Sequence, residues 1–576
     1  MSSNSTMSGA RALLEMLRGY EVRHVFGLPG ETTLELYMEW HNYPEIKHIM
    51  ARDERNACYM ADAYARASYK PGICESPSPG AAHIVPAVVE AYRSSVPMIA
   101  ITTDVPLHLE RRNMLTSYDQ SSIFRAITKE TITITRASEI PHIVRRAFRI
   151  ATTGKPGPVH LRIPMDVLEE ETVFSDIYAQ KEFSRYPGHR FAASTDSIKK
   201  ALDLILSSEN PLIVCGQGAL YSQAWDEVRE LAELLGIPVA TTTMGKGCFP
   251  EDHPLSIGVI GARGGTSFSN KILSESDLVF YIGADLDSIA TNTWSLPKPL
   301  EGRKIIHLDI SEANVSNNYP EALSLIGDAK ATLRVMIDML GRRIVRDYEE
   351  SPRIRDLIAR RRKYEESLKK YMDYGELVNP LRLVKELERK IPGDHLIVAD
   401  PGVGAIYMLA FYKVKKAGRS IITNYSIGSL GYAIPASVGA YFARPDSYIV
   451  VLTGDGSFGL NTGELETIAR VRGNIKIFLF NNNSYGWIRA EIFYKHGAGF
   501  FATDFKPVDY VKIAEGFGIE AMRVESNNEI ERTLDRVFRN RDPVLVEVLV
   551  EPQDKLCPPV PAWVRRAEEL GVKYIY

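Results

Sequence analysis

The sequence predicts an α/β protein made of three consecutive doubly wound domains with parallel sheets, and three observations carry that prediction. The chain has 576 residues, several times the usual domain length, so three or four domains are expected. Short apolar runs rich in β-branched residues, such as PMIAITTD, PLIVCGQGA and YIVVLTGDG, alternate with stretches of helical periodicity along the whole chain. That alternation is the rhythm of parallel strands joined by crossover helices. The apolar runs also end in Gly, Thr or Asp, as buried parallel strands do where they meet their loops.

The first block, residues 1–175, opens with ALLEMLRGYEVRHVFGLPGE and contains the strands PMIAITTD and GPVHLRIP. Residues 176–195 have no sustained period and carry Pro, Gly and Ser, so they read as a linker. A second block, 196–345, holds PLIVCGQGA, IPVATTT, DLVFYIGA and RKIIHLDI. Residues 346–375 form a helical linker within the charged stretch RRIVRDYEESPRIRDLIARRRKYEESLKKYMDYG, whose basic runs read as a solvated helix face. The third block, 376–555, runs from NPLRLVKELERKI to PVLVEVLVEP, and 556–576 is a tail with a proline-rich stop and a short amphipathic helix.

Composition narrows the function classes. Charged residues make up 24% and the net charge is -3, which gives no electrostatic reason to expect nucleic acid or an anionic membrane. No window approaches the length of uninterrupted apolar sequence that a membrane span needs, and the opening residues lack the pattern of a secretory signal. The five cysteines, Cys58, Cys74, Cys215, Cys248 and Cys557, show no zinc-ligand spacing and cannot all pair with one another. They read as structural residues in a reducing compartment, and the expected location is cytoplasmic.

The richest stretch begins GDGSFGLNTGELETIARVRGNIKIFLFNNNSYGW. Gly454, Asp455, Gly456 and Ser457 follow an apolar strand, so they sit at the carboxyl edge of a parallel sheet, where ligands of open α/β sheets bind. Glycines allow close backbone approach, and the amides of Gly456 and Ser457 can face a phosphate oxygen at the start of a helix expected over TGELETIARV. The spacer, residues 457–480, is one helix and one strand, which returns the asparagines beside Asp455 on the neighbouring strand. A carboxylate, an amide carbonyl and a backbone carbonyl, completed by phosphate oxygens and water, make the oxygen shell that magnesium prefers.

With this spacing the chain resembles, over nearly its whole length, the thiamine diphosphate-dependent enzymes of acetolactate synthase, pyruvate oxidase and pyruvate decarboxylase type, through VFGLPGE, HPLSIGVIG and the GDG-to-NN signature. The resemblance implies an aminopyrimidine-binding amino-terminal domain, a nucleotide-binder-like central domain and a diphosphate- and magnesium-binding carboxyl-terminal domain. It implies Asp455, the Asn482 side chain and the Ser484 carbonyl as Mg2+ ligands, with Asn481 as the alternative to Asn482. RDERNACYMADAYAR fits the family's Glu-x-x-Ala-x-x-Met-Ala pattern, which makes Glu54 the carboxylate that shares a proton with the aminopyrimidine ring nitrogen, on a helix burying Ala57, Met60, Ala61, Tyr64 and Ala65. In NYSIGSLGYAIPASVGA it implies Leu430 as the wedge that bends the cofactor and the Gly428 carbonyl as the acceptor of its amino group.

Function follows as carbon–carbon bond cleavage or formation on a 2-oxo acid, with pyruvate the default substrate. The subunit is expected to pair with itself, as a dimer or tetramer with sites at the interface. Departures from the acetolactate synthases mark the limits of the resemblance. SPSPGAAH stands for a Gly-Pro-Gly-Ala-Thr-Asn loop, MLTSYDQ lacks Phe-Gln-Glu, and GADLDSIATNTW replaces the Arg-Phe-Asp-Asp-Arg pattern, which argues against bound FAD. His83, Tyr118, Tyr485, Trp487 and Ile488 are candidates for the substrate pocket. Two alternatives stay open: a lyase acting on 2-hydroxyacyl or oxalyl thioesters of coenzyme A, and a noncatalytic protein that binds thiamine diphosphate.

Overall fold

A computed structural model describes residues 5–341, 348–497 and 499–576. The expected boundary at 345/346 and the first residues of the charged stretch fall in 342–347 and lie outside the described residues. From Pro352 to Leu368 that stretch is a helix.

Three six-stranded parallel sheets, each flanked by helices, form the architecture. The first contains β1 (His24–Gly27), β2 (Lys47–Met50), β3 (Gly72–Ser76), β4 (Met98–Asp104), β5 (Glu130–Thr133) and β6 (Pro158–Pro164) in the order β2-β1-β3-β4-β6-β5. The central sheet contains β7 (Pro211–Cys215), β8 (Val239–Thr241), β9 (Ser256–Val259), β10 (Leu278–Ile282), β11 (Lys304–Asp309) and β12 (Leu323–Ile326) in the order β9-β8-β7-β10-β11-β12. The third contains β13 (His395–Ala399), β14 (Ile421–Thr423), β15 (Tyr448–Gly454), β16 (Ile475–Asn481), β17 (Glu520–Val524) and β18 (Val544–Leu549) in the order β14-β13-β15-β16-β18-β17. Strands β4, β7, β10 and β16 are buried at every position, so they read as continuous apolar runs rather than as alternating ones.

By packing, the chain forms two compact units that are not linear blocks. One comprises Met1–His189, Ser426–Ile449 and Leu460–Ile475; the other comprises Arg190–Tyr425, Val450–Gly459 and Lys476–Tyr576. Within the first unit the reason is visible in three helices: α1 (Glu54–Ser68), α2 (Val85–Arg93) and α3 (Ala433–Ala443). α3 is rich in small residues, and a Cβ on Gly439 would lie 1.9 Å from the Met60 carbonyl oxygen of α1. Because α3 approaches so closely, α1 is buried on nearly all sides rather than on the single face that its periodicity suggests.

Cys58 on α1 and Cys74 on β3 form a disulfide, with Cα atoms 5.3 Å apart, while Cys215, Cys248 and Cys557 are free and buried. The expectation of a purely reducing environment for all five is therefore corrected for this pair. The spacing of two cysteines gave no sign that a helix and a strand would bring them together. Among the described residues no helix is long and apolar enough to cross a membrane.

Candidate active site

In the first unit Asp53 caps α1 by accepting the Arg55 N–H at 2.8 Å, which places Glu54 in the opening turn. The Glu54 carboxylate meets the loop after β3. His83 Nδ1 lies 2.9 Å from Glu54 Oε2, and the imidazole is 63% exposed while the carboxylate is 11% exposed. Gly80 of the same loop touches the other oxygen so closely that a Cβ there would stand 2.5 Å from Glu54 Oε1. The loop itself is pinned. Tyr118 donates its hydroxyl to the Ser78 carbonyl at 2.9 Å, Ser78 Oγ donates to the Thr116 carbonyl at 2.7 Å, and Gln120 donates to Ser78 Oγ at 3.2 Å. Burial pushes the Tyr118 phenol up to about 12, so it is a donor at neutral pH. Glu54, His83 and Tyr118 thus belong to one cluster.

Two supports of this cluster escaped the sequence reading. Glu464 accepts from the Arg52 N–H at 3.1 Å and from Asn56 Nδ2 at 2.7 Å, clasping the start of α1. It comes from the segment expected to be one helix after the GDG turn. That segment, TGELETIARV, opens as a 3-10 turn at Thr462–Glu464 and continues as a short helix at Leu465–Val471, after a separate single turn at Asp455–Phe458. Glu464 ends the 3-10 turn, and its fully buried carboxylate is held by Asn56 of α1 and by the Arg52 N–H just before it.

The second support is a buried polar ring. Arg66 Nε donates to Asp62 at 2.7 Å and Arg66 Nη2 to Glu90 at 3.3 Å, Ser94 Oγ donates to Glu90 at 2.6 Å, and the Ser94 and Ser426 hydroxyls lie 2.7 Å apart. Tyr432 closes the ring by donating to Asp62 Oδ1. Its members Ser426 and Tyr432 bracket Gly428, at φ +75°, and Leu430, which is half-buried. Desolvation pushes the Glu90 carboxyl up to about 7 against the pull of Arg66.

In the second unit β15 and β16 are neighbours, and Asp455 at the end of β15 meets the loop after β16. Gly456 N donates to Asp455 Oδ1 at 2.9 Å and Ser484 N donates to Oδ2 at 3.2 Å. The carboxyl is only 4% exposed, and burial raises it to about 6 although backbone N–H groups of Gly456, Ser484, Asn482 and Asn483 oppose the shift. Gly454 ends the strand, and Gly456 and Ser457 lie in the single helical turn that follows.

The three asparagines differ in their use. Asn481 donates to the buried Glu547 at 2.7 Å and accepts the Asn483 N–H at 2.9 Å, so both ends of its amide are engaged in the fold. Among the described residues Asn482 Oδ1 accepts from Ser484 alone, two positions on, at 3.2 Å from its N–H and 3.0 Å from its hydroxyl. The Asn481 amide is thus committed to the fold at both ends, whereas the Asn482 oxygen is engaged only within its own loop.

Of the expected pocket residues in this unit, Tyr485 stacks edgewise on Phe505 with centroids 4.7 Å apart and stays partly exposed. Ile488 is 53% exposed. Trp487 packs against Trp563 at 4.3 Å, on the helix Pro561–Glu569 of the tail.

A buried carboxylate surrounded by N–H groups and an amide oxygen is a fitting seat for a divalent cation, because a cation would remove the desolvation cost that raises Asp455. The edge of the central sheet is arranged differently. At the end of β10 Asp285 accepts from Asn314 at 2.6 Å and Asp287 caps the turn through the N–H groups of Ile289 and Ala290, so carboxylates line this edge. The turn after β7 is closed against Gly283, whose carbonyl accepts the Gly218 N–H at 2.8 Å.

Comparison with known proteins agrees with these features. Residues 7–123 match the thiamine pyrophosphate enzyme N-terminal TPP binding domain, 198–336 the central domain and 402–548 the C-terminal TPP binding domain. A probable acetolactate synthase large subunit of Methanococcus aeolicus is 36% identical, across 96% of this chain and 93% of its own length. One from Methanocaldococcus jannaschii is 34% identical, across 96% and 94%. The acetolactate synthase isozyme 1 large subunit of Escherichia coli is 30% identical across 99% of both chains.

Proposed function

From the premise that the chain belongs to the thiamine pyrophosphate enzymes, among those like the acetolactate synthase large subunit, we propose that it makes or breaks a carbon–carbon bond of a 2-oxo acid, with pyruvate the default substrate. The single observation that carries the site assignment is Asp455 and the Asn482–Ser484 loop meeting at the ends of adjacent strands. Asp455, Asn482 Oδ1 and the Ser484 carbonyl would hold Mg2+, the Ser484 hydroxyl being the contact that Asn482 gives up. Gly456 and Ser457 would hold the diphosphate, and Gly428 and Leu430 the rest of thiamine diphosphate. When bound, that cofactor supplies the nucleophilic carbon and the electron sink that side chains lack.

The chain's own part is positioning and proton handling. Glu54 holds a proton-sharing carboxylate at the mouth of the loop, Gly80 fixes one of its oxygens, and His83 contacts the other. Tyr118 keeps the loop in place through Ser78.

The enzyme works without FAD on this reading and is cytoplasmic; the free, buried Cys215, Cys248 and Cys557 favour that setting, while the Cys58–Cys74 disulfide runs against it. It assembles as a dimer or dimer of dimers in which Glu54 of one subunit serves the diphosphate site of another. Sedimentation checks this, and an active monomer would overturn it. The activity is tested by incubation with pyruvate, thiamine diphosphate and Mg2+. Carbon dioxide with acetolactate indicates ligation, carbon dioxide with acetaldehyde indicates release, and silence on every 2-oxo acid despite cofactor binding defeats the proposal. A colourless protein is expected, and flavin absorbance would restore FAD.

A further inference from the structure

In the second unit the helix that follows the candidate metal loop, α4 (Gly486–His496), begins in a crowded place. A Cβ on Gly486 would stand 2.4 Å from Asn482 Nδ2 and 3.3 Å from Gln553 Oε1, so glycine lets two amide ends converge on one point. Gln553 comes from the segment after β18 and is 2% exposed. Its backbone is held by α4. Tyr494 donates its hydroxyl to the Gln553 carbonyl at 2.9 Å, and Arg489 pairs with the next residue, Asp554, at 2.9 Å.

Among the described residues Gln553 Oε1 is buried without a hydrogen-bond partner. Such orphaned acceptors are rare, because each has given up water and gained nothing for it. Asn482 Nδ2, close to the same point, likewise has no acceptor among the described residues, since this amide is held by its other end, where Oδ1 accepts from Ser484. For that oxygen to take a cation it must leave Ser484, and an amide that turns carries its nitrogen with it. An oxygen at position 553 attracts the amide nitrogen and repels the amide oxygen, so it also decides which end of Asn482 is left for the metal.

We propose that Gln553 positions the metal-ligand candidate Asn482, its Oε1 accepting from Asn482 Nδ2 and so holding Oδ1 toward the cation beside Asp455. The inference deepens the function proposed above and rests on its assignment of Asn482 as a ligand. Gln553 touches neither metal nor cofactor and acts only through the amide, as the outer partners of metal ligands do.

The test measures Mg2+-dependent binding of thiamine diphosphate to the whole protein by calorimetry. Gln553→Met keeps the shape and removes the acceptor, and it is expected to weaken that binding about ten- to hundredfold. Gln553→Glu keeps an acceptor and should bind within about threefold of wild type or more tightly. The decisive measurement is a double-mutant cycle with Asn482→Ala, in which Gln553→Met should add less than about twofold once the amide is gone. Gly486→Ala reaches the same contact without altering Gln553. Its Cβ displaces Asn482 Nδ2, so a loss like that of Gln553→Met is expected, and the proposal can be judged even if Gln553→Met does not fold. Wild-type affinity in a folded Gln553→Met or Gly486→Ala protein overturns the positioning role, and so does an equal loss with and without the Asn482 amide. Asn482→Ala that binds as tightly as wild type, or a wild type with no Mg2+-dependent binding, overturns the metal-site reading first. A melting temperature of the cofactor-free protein matching wild type shows that each variant is folded.

Discussion

The first and third sheets run their strands in the same order, yet each surrounds its carboxylate differently. In the first, Glu54 begins a helix, and its partner is a largely exposed imidazole on a loop that touches it with backbone. In the third, Asp455 ends a strand among backbone N–H groups and is nearly sealed from water. One topology therefore offers two sorts of acid at the carboxyl edge: one reachable from solvent beside an exposed imidazole, the other buried among backbone N–H groups. The central sheet, with its different strand order, offers neither and lines its edge with aspartates that are already engaged.

That contrast breaks if the two acids can be exchanged in effect. Asp455→Ala should weaken magnesium-dependent binding of thiamine diphosphate about a hundredfold, measured by calorimetry. Glu54→Gln should leave that affinity within a few-fold but lower kcat about a hundredfold or more, measured by steady-state turnover. Matching phenotypes for the two variants would erase the distinction.

A smaller effect sharpens the comparison from the side of the first unit. Glu90 titrates at about 7 in the folded protein, above the ordinary 4.5. The folded state therefore holds a proton that the unfolded state releases. The stability Glu90 contributes is complete below about pH 4.5 and is lost as the pH rises through about 7. Arg66 and Asp62 of α1, Ser94 just after α2 and Tyr432 ahead of α3 are the groups that share its ring. Glu90→Gln should flatten the fall in melting temperature between about pH 5 and pH 7, and an unchanged slope would show that this carboxyl titrates elsewhere.

Much of the diphosphate half was legible because its chemistry is compact in sequence: a strand, GDG, one excursion and a run of asparagines. Which asparagine the fold itself ties up was not, since only the structure shows Asn481 committed to Glu547. Glu54 was legible through its helix pattern and family likeness, whereas its supports were hidden. Glu464 reaches Asn56 from hundreds of residues away, and the polar ring joins α1 and α2 to Ser426 and Tyr432. Periodicity reports which face of a helix is apolar and is silent about a second helix whose glycine lets it come close. The cysteine pair failed for the same reason. Three parallel domains could be read from alternation, but strand order could not, because crossover connections of similar length can lead to either side of a strand.

The return of Ser426–Ile449 and Leu460–Ile475 to the company of Met1–His189 has a consequence for how the molecule can be divided. A fragment stopping at His189 would lose the helix lying on Met60 and the glutamate clasping the approach to Glu54, leaving a bare apolar surface and an unanchored acid. The amino-terminal third is a continuous length of gene but an incomplete object, and the residues that finish it are translated only after the whole central region.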